Sequence, residues 1–164
     1  VLAEIEVQGE WAGDQPFDTS DRPSPGAAVY ALTPAEVSDL LGCQGDMLLG
    51  TLAGREDVAV SLQSQSKDVL PRNVGIFGTV GSGKSNSVQV LVEEASACGW
   101  AVILLDLESE YVEMDQPTTQ TNLLERLARF GRQPRGLPDF HVYHPQSCAS
   151  DRQGSKPFTL RAAD

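Results

Sequence analysis

The sequence predicts an α/β fold: a parallel sheet with helices on both faces, preceded by a small β-rich module. Three observations carry that reading. From Asn73 onward the pattern runs strand, glycine-rich turn, helix, strand, the order of a βαβ unit. The run Trp100 to Leu105 is apolar throughout rather than alternating, as a parallel strand covered on both faces must be. Ahead of Asn73, apolar residues alternate in short runs separated by turn residues, which builds antiparallel β structure. The expected division is residues 1–70 and residues 71–164.

Taken in order, residues 1–7 alternate, with Val1, Ala3, Ile5 and Val7 on one face, as a half-buried strand requires. Asp14 to Pro25 reads as a polar, proline-containing loop, and Ala27 to Leu32 as a second strand. Thr33-Pro34-Ala35-Glu36 has the residues of a capping box with proline at the first helical position, so a helix starts there and stops at Gly42. Leu48 to Leu52 and Val58 to Gln63 form a hairpin about Gly54, with Val58, Val60 and Leu62 pointing one way. Val74 to Phe77 is the first strand of the βαβ unit. The helix from Lys84 sets Val88, Leu91, Val92 and Ala95 on one stripe, and Gly99 ends it in a left-handed cap. Thr121 to Phe130 is a further helix and Phe140 to Tyr143 a further strand.

The net charge of −11 is unevenly spread: residues 1–72 carry 12 acids against 4 bases, and residues 73–164 carry 11 against 8. Such a surface does not coat nucleic acid, because binding the phosphate backbone relies on Lys and Arg. Any DNA contact is expected to be local, as in a loop lining a pore. Cys43, Cys98 and Cys148 lie far apart without a C-x-x-C, the usage of reduced thiols in a cytoplasmic protein. No apolar run is long enough to span a membrane, and no secretory leader is expected.

The chemistry concentrates at Gly78-Thr79-Val80-Gly81-Ser82-Gly83-Lys84-Ser85, which matches G-x-x-x-x-G-K-[ST] in full between a predicted strand and a predicted helix. Glycines there let successive backbone N–H groups converge on an anion at a helix N-terminus. Lys84 is placed to reach the β- and γ-phosphates of ATP, and the Ser85 hydroxyl to ligate Mg²⁺. The candidate nucleotide-binding residues are therefore Gly78, Thr79, Val80, Gly81, Ser82, Gly83, Lys84, Ser85 and Asn86. Asp106 and Glu110 follow the second βαβ strand, at the sheet edge where ligands of such folds bind. With Lys84 they are the candidate catalytic residues, and Asp106 is a candidate for holding the metal through water.

Weaker signals have ordinary readings. The segment LTPAEVSDLLG can open a helix-turn-helix, but no recognition helix or basic surface follows it. His141, His144 and Cys148 offer only three ligands, on a strand where residues three apart face opposite sides. Arg126, Arg129, Arg132 and Arg135 recur every three residues and read as a solvated helix face, with a subunit or nucleic-acid contact as the alternative.

With LGTLAG, VAVSL, LPRNVGIFGTVGSGKSNSVQVLVEEA and AVILLDLESEY in this order, the chain resembles the HerA family of the HerA and FtsK group over nearly its whole length. The front module is similar to the HAS-barrel of those proteins, a small β-barrel, and the rest to the start of a RecA-like P-loop NTPase domain. Asn73 stands where the family commonly has His. Ser109 stands where its D-x-x-G-E-Y motif has Gly, while Asp106, Glu110 and Tyr111 match. The resemblance implies a homo-hexameric ATPase that threads double-stranded DNA through pore loops, working with a nuclease in end processing or with a defence effector. No apolar strand ending in Asp-Glu follows Leu105, so the chain is expected to be the front part of a longer protein and to hydrolyse ATP poorly alone. The rival functions are a small-molecule P-loop kinase and a nucleotide-binding assembly module without turnover.

Overall fold

A computed structural model describes residues 10–12, 15–17, 24–70, 72–148 and 150–159, so the expected strand over residues 1–7 lies outside the described residues. The chain divides into two units, Val1–Gln63 and Ser64–Asp164.

In the first unit β1 (Glu10–Ala12) and β2 (Gln15–Phe17) pair antiparallel, Glu10 opposite Phe17. Part of the expected polar loop is therefore strand; a two-stranded ladder has only edge strands, which tolerate Pro16. Ala27 to Leu32, expected as a strand, pairs with none among the described residues, and Val29 and Tyr30 are exposed. Composition favoured a strand there, but a strand needs a neighbour to take its hydrogen bonds. The Leu32 carbonyl instead accepts from Arg55 Nη2 at 3.2 Å.

Helix α1 (Pro34–Leu40) forms as its residue types require. Thr33 Oγ1 accepts the Glu36 N–H at 3.3 Å, and Glu36 Oε2 accepts the Thr33 N–H at 2.8 Å, closing the capping box. Hairpin strands β3 (Met47–Leu52) and β4 (Arg55–Leu62) place Met47 and Val58 in the core. A bulge at Leu49 interrupts the register, since Leu48 faces Ser61 while Gly50 faces Val60. Ser61 is buried as well, because its N–H is donated to the Cys43 carbonyl at 2.8 Å and the loop after α1 lies along β4. The described residues show this hairpin and no closed barrel.

In the second unit α2 (Lys84–Ala97) buries Val92 and Ala95 and half-buries Val88 and Leu91, the predicted stripe. α3 spans Thr121–Arg129. The three described helices stop through one device. At α2 the Gly99 N–H is donated to Ser96 O and the Trp100 N–H to Ala95 O, both at 3.0 Å, with Gly99 at φ 88°. The same pair of bonds follows α1 through Gly42 and Cys43, and α3 through Gly131 and Arg132. These are Schellman motifs, in which a left-handed glycine satisfies the last helical carbonyls.

The expected parallel sheet with helices on both faces is not assembled among the described residues. Val74 to Phe77 and Trp100 to Leu105 carry no strand pairing, and Phe77, Ile103 and Leu105 are 93%, 88% and 93% exposed. Their sequences meet the condition for buried strands, but two-sided burial needs flanking strands and a covering layer. Parallel pairing occurs only between β5 (Tyr143–Pro145) and β6 (Lys156–Phe158) among the described residues. β5 begins where the expected strand over Phe140 to Tyr143 ends. No described helix is long and apolar enough to cross a membrane.

Candidate functional site

The glycine-rich turn leads directly into α2, in the local order the sequence predicts, after a segment that carries no strand pairing. The Ser82 N–H is donated to Thr79 O at 3.2 Å, and Gly81 (φ 78°) and Gly83 (φ 89°) are both left-handed, with Gly83 as the helix N-cap. A side chain at either position is strained. A Cβ at Gly78 stands 2.2 Å from Ser82 Oγ, so a larger residue there makes the Ser82 side chain shift. Val80 is fully exposed at the tip, and Thr79, Ser82 and Asn86 are exposed around it. The N–H groups of the first turn of α2 have no partners within the helix, and the helix dipole adds positive potential there.

Two of the candidate groups lie at this helix start. Lys84 Nζ donates to Thr79 O at 2.8 Å, folding the ammonium back over the turn. Ser85 Oγ donates to Glu110 Oε2 at 2.7 Å, bridging twenty-five residues of sequence. Gln89, one helical turn after Ser85, donates its Nε2 to the Glu110 carbonyl at 3.4 Å. Sequence reasoning missed Gln89; its i+4 spacing from Ser85 is the signal that finds it.

The structure therefore brings Glu110, rather than Asp106, to Ser85. Asp106 turns toward its own loop: Oδ1 accepts the Glu108 N–H at 3.2 Å and Oδ2 the Tyr111 N–H at 3.0 Å. Burial pushes the Asp106 carboxyl up. The backbone N–H groups of Tyr111, Glu110, Glu108 and Ser109 outweigh that and hold it below the usual carboxylate range. Within this loop Ser109 adopts φ 58°, the left-handed region.

The arginine run does not form one helix face, because α3 ends at Arg129 and its Schellman turn redirects the chain. Arg132 Nη2 and Arg135 Nη2 instead reach Glu94 on α2, at 3.1 and 3.3 Å. His144 Nδ1 lies 2.7 Å from the Cys148 carbonyl, and His141 packs edge-on against Tyr143.

This turn lies within a region that matches a known family model. Residues 47–162 match the model described as "Helicase HerA, central domain". A probable helicase of Methanocaldococcus jannaschii is 32% identical over 92 residues, covering 56% of this chain and 17% of that protein. The DNA double-strand break repair helicase HerA of Saccharolobus solfataricus is 33% identical over 97 residues, covering 56% and 19%. That of Sulfurisphaera tokodaii is 33% identical over 93 residues, covering 57% and 18%. The chain thus spans about a fifth of the length of the curated relatives it matches. No solved structure matches it. With the family model covering well over half of the sequence, and the glycine turn, Lys84 and Ser85 in place inside it, the chain belongs to the HerA helicase central-domain family.

Proposed function

We propose that this chain is the ATP-binding part of a hexameric, HerA-like DNA translocase that couples ATP hydrolysis to movement on double-stranded DNA in end processing or defence. The observation that supports it most is the Ser85–Glu110 contact at the start of α2, beside Lys84 and two left-handed glycines. Backbone N–H groups of Gly81, Gly83, Lys84 and Ser85 would receive the phosphates, and Lys84 would exchange its Thr79 carbonyl for the β- and γ-phosphate oxygens. A hydroxyl and a carboxylate 2.7 Å apart form the hard oxygen donor set that suits Mg²⁺. Ser85 and Glu110 would hold the ion there, and it would neutralise charge on the phosphates. Glu110 also fixes the Ser85 hydroxyl, and Gln89 fixes Glu110. Duplex DNA contacts belong to pore loops of the assembled ring, since the acidic chain offers no broad basic surface. A nuclease or defence effector is the expected partner.

The test is ATP turnover by the intact protein with and without duplex DNA. Stimulation by DNA supports the translocase. Phosphorylation of an added small molecule points to a kinase, and tight nucleotide binding without turnover to an assembly module.

A further inference from the structure

We infer that Asp106 is a positioning residue rather than a metal ligand: it fastens the Glu108–Tyr111 turn so that Glu110 meets Ser85. The inference rests on the nucleotide-site reading above and deepens it. The two Asp106 oxygens accept the N–H groups of Glu108 and Tyr111, which bracket Ser109 and Glu110 from either side. Both of these bonds turn the carboxylate into its own loop, while the contact to Ser85 is made by Glu110. Between the bracketing residues Ser109 sits at φ 58°, a conformation that a residue with a Cβ adopts at a cost. The turn is therefore held against its own backbone preference, and the Asp106 bonds oppose that strain. Gln89 completes the arrangement by holding the Glu110 carbonyl from α2. Glu110 is thus fixed on its backbone by Gln89 and the Asp106-bound turn, and on its side chain by Ser85.

A metal ligand and a positioning residue respond differently to glycine at position 109. Glycine removes the opposing strain, so a turn that has lost its fastening is partly restored, whereas glycine cannot replace a missing ligand. The experiment compares wild type, Asp106→Asn, Ser109→Gly and the double variant in the intact full-length protein, reading kcat, nucleotide affinity and the Mg²⁺ concentration for half-maximal turnover. Asp106→Asn is expected to lower kcat about ten-fold with nucleotide affinity within about three-fold, because the loss falls mainly on the transition state. Adding Ser109→Gly is expected to recover at least about three-fold of it, with the Mg²⁺ requirement unchanged throughout. A rise of about ten-fold in the Mg²⁺ requirement, without rescue by Ser109→Gly, makes Asp106 a ligand and overturns the inference. So does an unchanged kcat in Asp106→Asn. Amide hydrogen exchange at Glu108 and Tyr111 gives a readout independent of activity. Protection lost in Asp106→Asn supports the inference even if the wild type turns over no ATP, a result that counts against the functional reading alone. Protection retained overturns the inference.

Discussion

Asp106 owes its acidity to the loop it organises, and this gives the loop a defined response to pH. Because its folded carboxyl lies below the ordinary range, the ionised form is the one the fold favours. Its contribution is complete above the unfolded value of about 3.9 and is lost as the pH falls through the lower folded value. Amide protection at Tyr111 is therefore expected to persist through pH 4 and fade only under stronger acid, a profile that hydrogen exchange at a series of pH values checks. Glu93 behaves in the opposite sense. Burial pushes its carboxyl up, with Glu94 adding to the rise and Arg135 opposing it. Its charge is thus a cost at neutral pH, and Glu93→Gln is expected to raise the urea midpoint at pH 7 and to have little effect near pH 4. At the nucleotide, Lys84→Ala is expected to remove most ATP affinity, about ten-fold or more by calorimetry, through loss of a fixed cation against multiply charged phosphate. The glycine turn that opens α2 was legible in the sequence because it depends on residue types within one turn. That Glu110 rather than Asp106 meets Ser85 was not, because it depends on how a loop folds back over twenty-five residues.

Helices were legible for the same reason of locality. The capping box at Thr33 and Glu36, and the glycines at 42 and 99, act within one turn, and all appear where the residue types placed them. Gly99→Ala is expected to destabilise the chain by about 1 kcal/mol in urea denaturation, since a Cβ is disfavoured in the left-handed conformation of the Schellman turn. Strands depend on partners, so Ala27 to Leu32, Val74 to Phe77 and Trp100 to Leu105 have strand composition without strand pairing among the described residues. The arginine run misled because its three-residue spacing continued past Gly131, where the helix had already ended. Its last two members clamp Glu94, whose side chain is 10% exposed while theirs are 39% and 48%. That asymmetry sets the outcome of mutation. Replacing both Arg132 and Arg135 by Ala is expected to cost about 2 kcal/mol, because an interior carboxylate loses both guanidinium partners. Glu94→Leu is expected to cost less than half as much, since the partly exposed guanidiniums regain water. Paired denaturation curves decide it.

For the chain as a whole, the main feature is apolar surface left uncovered in the second unit. Leu70, Leu91, Val92, Ala95 and Trp100 to Ile103 line an open groove of about 240 Å³, and beyond it Leu105 and Leu107 stand almost fully exposed. Surface of this kind attracts apolar dyes, and Ile103→Thr with Leu105→Thr is expected to reduce 8-anilinonaphthalene sulfonate fluorescence of the chain. The stretch Ala101-Val102-Ile103-Leu104-Leu105 also has the composition of a self-stacking segment: β-branched and apolar, uncharged, without proline. It is followed at once by Asp106, Glu108 and Glu110, three carboxylates within five residues. In a stack of identical chains those charges lie in register, each above its own copy, and their repulsion grows with every layer added. The acidic turn is therefore expected to act as a gatekeeper wherever the apolar run is open to other chains. Glu108→Ala removes one of the three charges while leaving the backbone N–H that Asp106 holds, and is expected to shorten the lag before thioflavin-positive aggregation.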